Sequence, residues 1–295
     1  KFAPSYHQER EARDFIRAFN YQTYDWLTPV TEPFSDLQHR VLNEMYNAEV
    51  AYEDHLLHSL FSWLDEPEVR EQTLVIITSD HGEGLDHHGY VGHSLVTYED
   101  LIRVPLMLRY PPHYEGGTRI AAPTSTRRIF HTIMQAATES AEGVIQDDEK
   151  EDVAALSLRR ALQDDPSVEP VEDLVWSEAF PPITLLKLME GRDGEAIDAF
   201  QCRAVRRAIY DVDASYKLVT VNDTPTELFN VTADPAELDN RIAAHPDVTS
   251  RLDRALKGVV AEAKSRRLER VSGAGVDLES NRRVRERLRR LGYLE

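Results

Sequence analysis

Cysteine is nearly missing from this chain. Cys202 stands alone among 295 residues, which excludes an internal disulfide framework and any zinc site built on thiolates. Long apolar runs are missing too. No stretch of 18 or more apolar residues occurs, so no membrane-spanning helix is expected. The first residues, Lys1 to Phe15, are charged and hold no apolar core of the kind a secretory leader needs. A free thiol without a visible leader makes a cytoplasmic location the expectation. A chain that opens on Lys1 rather than methionine is read as processed, or as a piece of something longer. Positive charge is also short. Asp and Glu number 52 against 34 Lys and Arg, a net −18. A field of that sign repels nucleic acid and anionic membranes, and neither is expected as a partner. The same field repels an anionic substrate unless the site carries its own positive charge.

The length allows one large domain, or one with a small appendage. Residues 1–34, broken by Pro4, Pro29 and Pro33, read as a short helix plus loop. Ser35 with Gln38 three residues on forms a capping-box pattern. Behind it, Leu37, Val41, Met45, Ala48, Tyr52, Leu56 and Leu60 recur at spacings of three and four. That predicts a helix ending near Leu64 with one apolar face buried. A strand is expected at 73–79, a short helical turn at 96–101, a second strand from Val104 to Tyr110 and a helix over 125–137. This order suggests a layered α/β domain. Residues 138–170 are acidic and read as a surface insertion. Strand-like runs at Leu174–Ser177, Ala204–Asp211, Tyr216–Val221 and Glu227–Val231 then predict a small antiparallel sheet, followed by a helix from about Val248 to Leu268. The charge reverses at the end: from Arg251 to Glu295, 13 Lys and Arg face 7 Asp and Glu. That basic helical tail is expected to dock on the acidic body of the same protein.

The chemistry concentrates after the first strand. The apolar run Leu74–Ile77 stops at Asp80-His81-Gly82-Glu83, and His81, His87, His88 and His93 fall within thirteen residues. A buried strand that delivers an Asp–His pair at its carboxyl end is how open α/β sheets place ligands and catalytic groups. Gly82 and Gly84 permit a tight backbone on which Asp80 and His81 can converge on one ion. A carboxylate with an imidazole suits Mn²⁺ or Zn²⁺ better than Ca²⁺ by ligand hardness, and two ligands require more from elsewhere in the fold. His93 is placed to pair with an anionic ester oxygen or to protonate a leaving group. His88 is a supporting candidate, and at most one of the adjacent His87 and His88 is expected to bind a given ion. A zinc loop built from His81, His87, His88 and His93 has the residue types but not the usual spacing. The plain alternative is a capping carboxylate beside a hydrogen-bonded histidine.

Thr78-Ser79-Asp80-His81-Gly82-Glu83, His88-Gly89, His93, Tyr98-Glu99 and Arg103-Val104-Pro105-Leu106 together resemble the C-terminal metal-binding segment of the sulfatases, in the alkaline phosphatase superfamily. Tyr46–Tyr52, Tyr216-Lys217-Leu218, Glu227–Val231 and Asp234–Asn240 extend the resemblance over about residues 40 to 260. It implies a mostly parallel sheet flanked by helices, with a small C-terminal antiparallel sheet plus helix. On that basis residues 1–170 are the C-terminal part of the large α/β domain, 171–268 the small sheet-and-helix subdomain, and 269–295 the basic tail. It implies one divalent cation, Ca²⁺ or Mn²⁺/Zn²⁺, with Asp80 and His81 as the second pair of its ligands. His93 falls where the family has a lysine on the sulfate oxygens, and a small-molecule sulfate ester is the implied substrate. The family's Cys-x-Pro-x-Arg segment, source of the formylglycine nucleophile, does not occur in these residues, and Cys202 lies in the wrong context and order. The implied reading is part of a hydrolase of sulfuric esters, with the formylglycine in a missing N-terminal half. A phosphodiesterase or phosphonate monoester hydrolase of the same superfamily, and a non-catalytic binding domain, remain as alternatives.

Overall fold

The computed structural model describes residues 9–19, 32–121, 123–139, 156–158, 174–190, 194–211 and 215–273. Most of the acidic 138–170 insertion and the tail beyond residue 273 lie outside the described residues. The chain forms two compact units, Lys1–Pro246 and Asp247–Glu295.

Helix α1 (Arg10–Phe19) precedes the long helix α2 (Asp36–Leu64). The expected capping box is present: Ser35 Oγ accepts from the Gln38 amide at 3.3 Å and Gln38 Oε1 from the Ser35 amide at 2.7 Å. Two orphan amides are thereby satisfied at the helix start. The first turns of α2 pack on α1, where Ala12 and Val41 are buried among Phe15, Ile16, Leu37 and Met45. The expected burial stops there. Tyr52, Leu56 and Leu60 are 47%, 58% and 46% exposed, because no described element lies over the later turns. The stripe is apolar as expected, and among the described residues its later half is not buried. At the far end Arg109 ties the helix down, donating to the Leu64 carbonyl at 2.7 Å and to the Asp65 carboxylate.

A single turn, α3 (Pro67–Arg70), leads into β1 (Val75–Thr78), which pairs with β4 (Leu106–Arg109). Both strands fall inside the expected runs. Their pairing is antiparallel, Val75 opposite Arg109 and Thr78 opposite Leu106. All strand pairs among the described residues are antiparallel, so the expected mostly parallel arrangement is not found in this part of the sheet. Parallel neighbours require a crossover that returns the chain to the starting edge. Here the link is a hairpin, β2 (Gly84–Leu85) with β3 (Val91–Gly92), and one short helix, α4 (Glu99–Ile102). Helix α5 (Arg128–Glu139) follows.

The small antiparallel sheet is present. It runs β5 (Trp176–Ala179), β6 (Arg206–Tyr210), β7 (Tyr216–Val221), β8 (Thr224–Asn230), in that spatial order. Two short helices the sequence reading did not anticipate, α6 (Ile183–Met189) and α7 (Gly194–Ala199), fill the β5–β6 connection. Leu186, Ala196, Ile197 and the free Cys202 pack with Tyr90, Leu95, Val96 and Leu101 in one buried cluster. The histidine loop therefore rests on this packing. In the second unit, α8 (Pro246–Gly273) contains the helix expected over 248–268. None of the described helices is long and apolar enough to cross a membrane.

Candidate metal and substrate site

Strand β1 ends one residue before Ser79, and the turn that follows is held by local bonds. Ser79 Oγ donates to the His81 carbonyl at 2.7 Å, and the His81 amide donates to Asp80 Oδ1 at 3.0 Å. Gly82 presses against α4, its amide donating to the Leu101 carbonyl at 2.8 Å. A Cβ there would sit 2.0 Å from the Asp100 carbonyl oxygen, so only glycine lets the Asp–His turn approach so closely. Gly84 and Gly92 oppose each other in the hairpin, and a Cβ on Gly84 would meet the Tyr90 ring at 2.8 Å.

The turn fixes the histidine tautomer. His81 Nδ1 lies 2.8 Å from the Gly82 carbonyl. A carbonyl only accepts, so Nδ1 carries a proton and Nε2 is the nitrogen left to face a ligand. Asp80 Oδ2 is 3.7 Å from that Nε2. The Asp80 side chain is 87% exposed. The neighbouring His81, with two backbone amides, holds its carboxyl below the usual range. Asp80 is thus ionised and accessible at neutral pH.

His93 comes to the same place. Its ring stacks on His81 with centroids 4.3 Å apart, and its Nδ1 lies 3.2 Å from Glu83 Oε2. Three of the named candidates, Asp80, His81 and His93, are therefore brought together. His88 goes elsewhere: its ring stacks on Tyr98 at 3.7 Å. Burial lowers the pKa of His88, so it is neutral at pH 7. His87 Nδ1 pairs with Asp100 Oδ2 at 3.0 Å. The hairpin tip is anchored from outside, His39 Nε2 meeting the buried Asp86 at 3.1 Å.

Two features were not singled out from the sequence. Glu83 joins His81 and His93 in a group whose ligand atoms all lie within 4.8 Å of one another, a set that could hold a metal ion. The second is a buried network behind the loop. Lys217 is fully buried, and its Nζ donates to the Thr97 carbonyl at 3.0 Å and to Glu99 at 3.2 Å. It also pairs with Glu237 at 2.5 Å. Glu237 accepts from the Glu99 amide at 2.6 Å, and Tyr210 donates to Glu99. Next to it Tyr98 donates to Glu227 at 3.0 Å. The loop's end is thus riveted to β6, β7, β8 and the Asp234–Asn240 turn. A lysine inside the apolar strand YKLVTV is the signal that would have pointed to this network.

Residues 5–139 match the family model described as Sulfatase. That segment belongs to the sulfatase family. The sulfatase match extends further among relatives. Arylsulfatase K of Gallus gallus is 26% identical over 234 residues, covering 78% of this chain and 39% of the relative. The chain thus spans about two-fifths of that relative's length. Among solved structures, BT4656 in complex with its substrate D-glucosamine-2-N,6-O-disulfate superposes with a TM-score of 0.58 at 19% identity, covering 85% of this chain and 46% of that one. The phosphonate monoester hydrolase of Agrobacterium radiobacter superposes at 0.54 with 22% identity, over 78% of this chain and 43% of the other. At such identities the two structures establish the alkaline phosphatase-like sulfatase fold alone.

Proposed function

We propose that this chain is part of a metal-dependent hydrolase of sulfuric esters, contributing Asp80 and His81 to a divalent cation and His93 to the sulfate group of a small-molecule ester. The observation that carries the reading is the convergence of these three side chains at the end of β1, within a segment of sulfatase sequence.

The residues present fit a cation. His81 offers Nε2 because Nδ1 is committed to Gly82, and Asp80 offers an exposed, ionised oxygen beside it. A bound cation would supply the positive charge that the acidic chain lacks, stabilising charge on the sulfate oxygens during attack. His93 faces the same place and offers an N–H to a sulfate oxygen. Glu83 orients its ring through Nδ1. In the reaction a nucleophile attacks sulfur, the sulfur–oxygen bond to the alcohol breaks, and the alcohol leaves with a proton. The nucleophile has no candidate among these residues, and we place it, as formylglycine, on sequence outside them.

The test is hydrolysis of an aryl sulfate and an aryl phosphonate monoester side by side by the complete gene product. Faster turnover of the sulfate is expected, with Asp80→Ala reducing it by about 100-fold or more, in line with the cost of disturbing a metal centre. A faster phosphonate reaction would move the protein to the other ester class of the superfamily. No turnover of either, with no thermal shift on adding Mn²⁺ or Ca²⁺, would make it a non-catalytic domain.

A further inference from the structure

The hairpin register carries a second consequence. Gly84 pairs with Gly92, so Glu83 and His93 are the next residues outward on the two strands, facing each other as a cross-strand pair would. His81 sits two residues before Glu83 and stacks on His93. One ligand atom from each of the three lies within 4.8 Å of the other two. Donors bound to a four-coordinate ion at ~2.0–2.2 Å are roughly 3.3–3.6 Å apart. The three side chains are 41%, 29% and 44% exposed, and small side-chain rotations would close the gap. The backbone beneath is stiff, fixed by the Gly82–Leu101 bond and the Gly84–Gly92 ladder.

We propose that His81, Glu83 and His93 form a transition-metal site of their own, a two-histidine, one-carboxylate set that takes Zn²⁺, Co²⁺ or Mn²⁺ in preference to Ca²⁺. Two imidazoles with one carboxylate match the softer ions, whereas Ca²⁺ requires six to eight oxygens. The set differs from the Asp80–His81 pair in drawing all three ligands from the 81–93 loop. The two share His81, so they compete for it. Occupation of the triad also takes His93 away from substrate, which makes excess zinc an inhibitor of the ester hydrolysis proposed above. The site stands on side-chain geometry alone and does not need that reading to hold.

Cobalt reports on the difference. The metal-stripped 295-residue chain is titrated with Co²⁺ and followed by its visible absorption, with Ca²⁺ as competitor. One equivalent is expected to bind with a d–d spectrum that a large excess of Ca²⁺ does not remove. Glu83→Gln and His93→Ala should each weaken binding about tenfold or more, comparable to losses at other metal centres, and Asp80→Ala less than threefold. Circular dichroism of each variant separates lost ligation from lost folding, and Glu83→Gln serves where His93→Ala misfolds. Binding that depends on Asp80 and not on Glu83 or His93 overturns the triad and leaves the sulfatase reading standing. Failure of the intact chain to bind Co²⁺ also overturns the triad, with the hydrolysis test left to decide the ester chemistry independently.

Discussion

Lys217 places a full positive charge where no water reaches it, between Glu99 and Glu237. Burial pushes the Glu237 carboxyl up to about 7 from its ordinary 4.5, against the pull of Lys217. The folded state therefore binds that proton more tightly than the unfolded state does. The stability it contributes is fully present below pH 4.5 and is lost as pH rises through about 7. Glu237→Gln removes the titration. Denaturation midpoints measured from pH 5 to pH 8 should show wild type losing stability relative to the variant, and parallel curves would refute the assignment. The proposed ligands were legible because Asp80 and His81 are adjacent in sequence and end an apolar run. Glu83 was harder to see, since its partnership with His93 depends on hairpin register. The lysine inside an apolar strand hints at the Lys217 network, but its partners are not legible: Glu99 bonds to residues 118 and 138 positions away, and no local pattern encodes such a meeting.

At the scale of elements, the histidine loop is a hairpin wedged against α4 through a contact only glycine allows. Gly82→Ala drives a methyl into the Asp100 carbonyl and should cost about 3 kcal/mol. Gly258→Ala, with open space around its Cβ inside α8, should be neutral or stabilise by up to about 1 kcal/mol. Urea midpoints of the two variants check the contrast, and equal effects would mean that the loop does not press on α4 as drawn. The elements most legible in the sequence carried their own signals, such as the Ser35–Gln38 box and the strand pattern of β6 to β8. Helices α6 and α7 span seven and six residues, too short for a helical period to declare itself. Strand direction was less legible for a different reason. Val75–Thr78 and Leu106–Arg109 look the same whichever way they pair, and the resemblance that supplied a parallel sheet describes a whole domain of which this pair is a small part.

For the whole molecule, two surface properties oppose each other. A net charge of −18 keeps copies apart, while Tyr46, Val50, Tyr52, Leu56, Leu57, Leu60 and Trp63 expose a long apolar face on α2. A patch of that extent favours association of the isolated chain. The Debye length shrinks from about 10 Å at 0.1 M salt to about 3 Å at 1 M, so salt should tip the balance. Sedimentation of the isolated chain should show monomer at low salt and larger species at 1 M, with Leu56→Glu/Leu60→Glu remaining monomeric in both. Salt-independent behaviour of the parent chain would mean that this face is not adhesive.

The same helix is fastened at its start by the capping box and α1, and at its end by Arg109. Between these fixings some five turns have water on most of their circumference. Such a helix frays from its midspan rather than from its tips. Its central amides would exchange with solvent first, and a protease would find its earliest cut there, inside the most regular element of the chain.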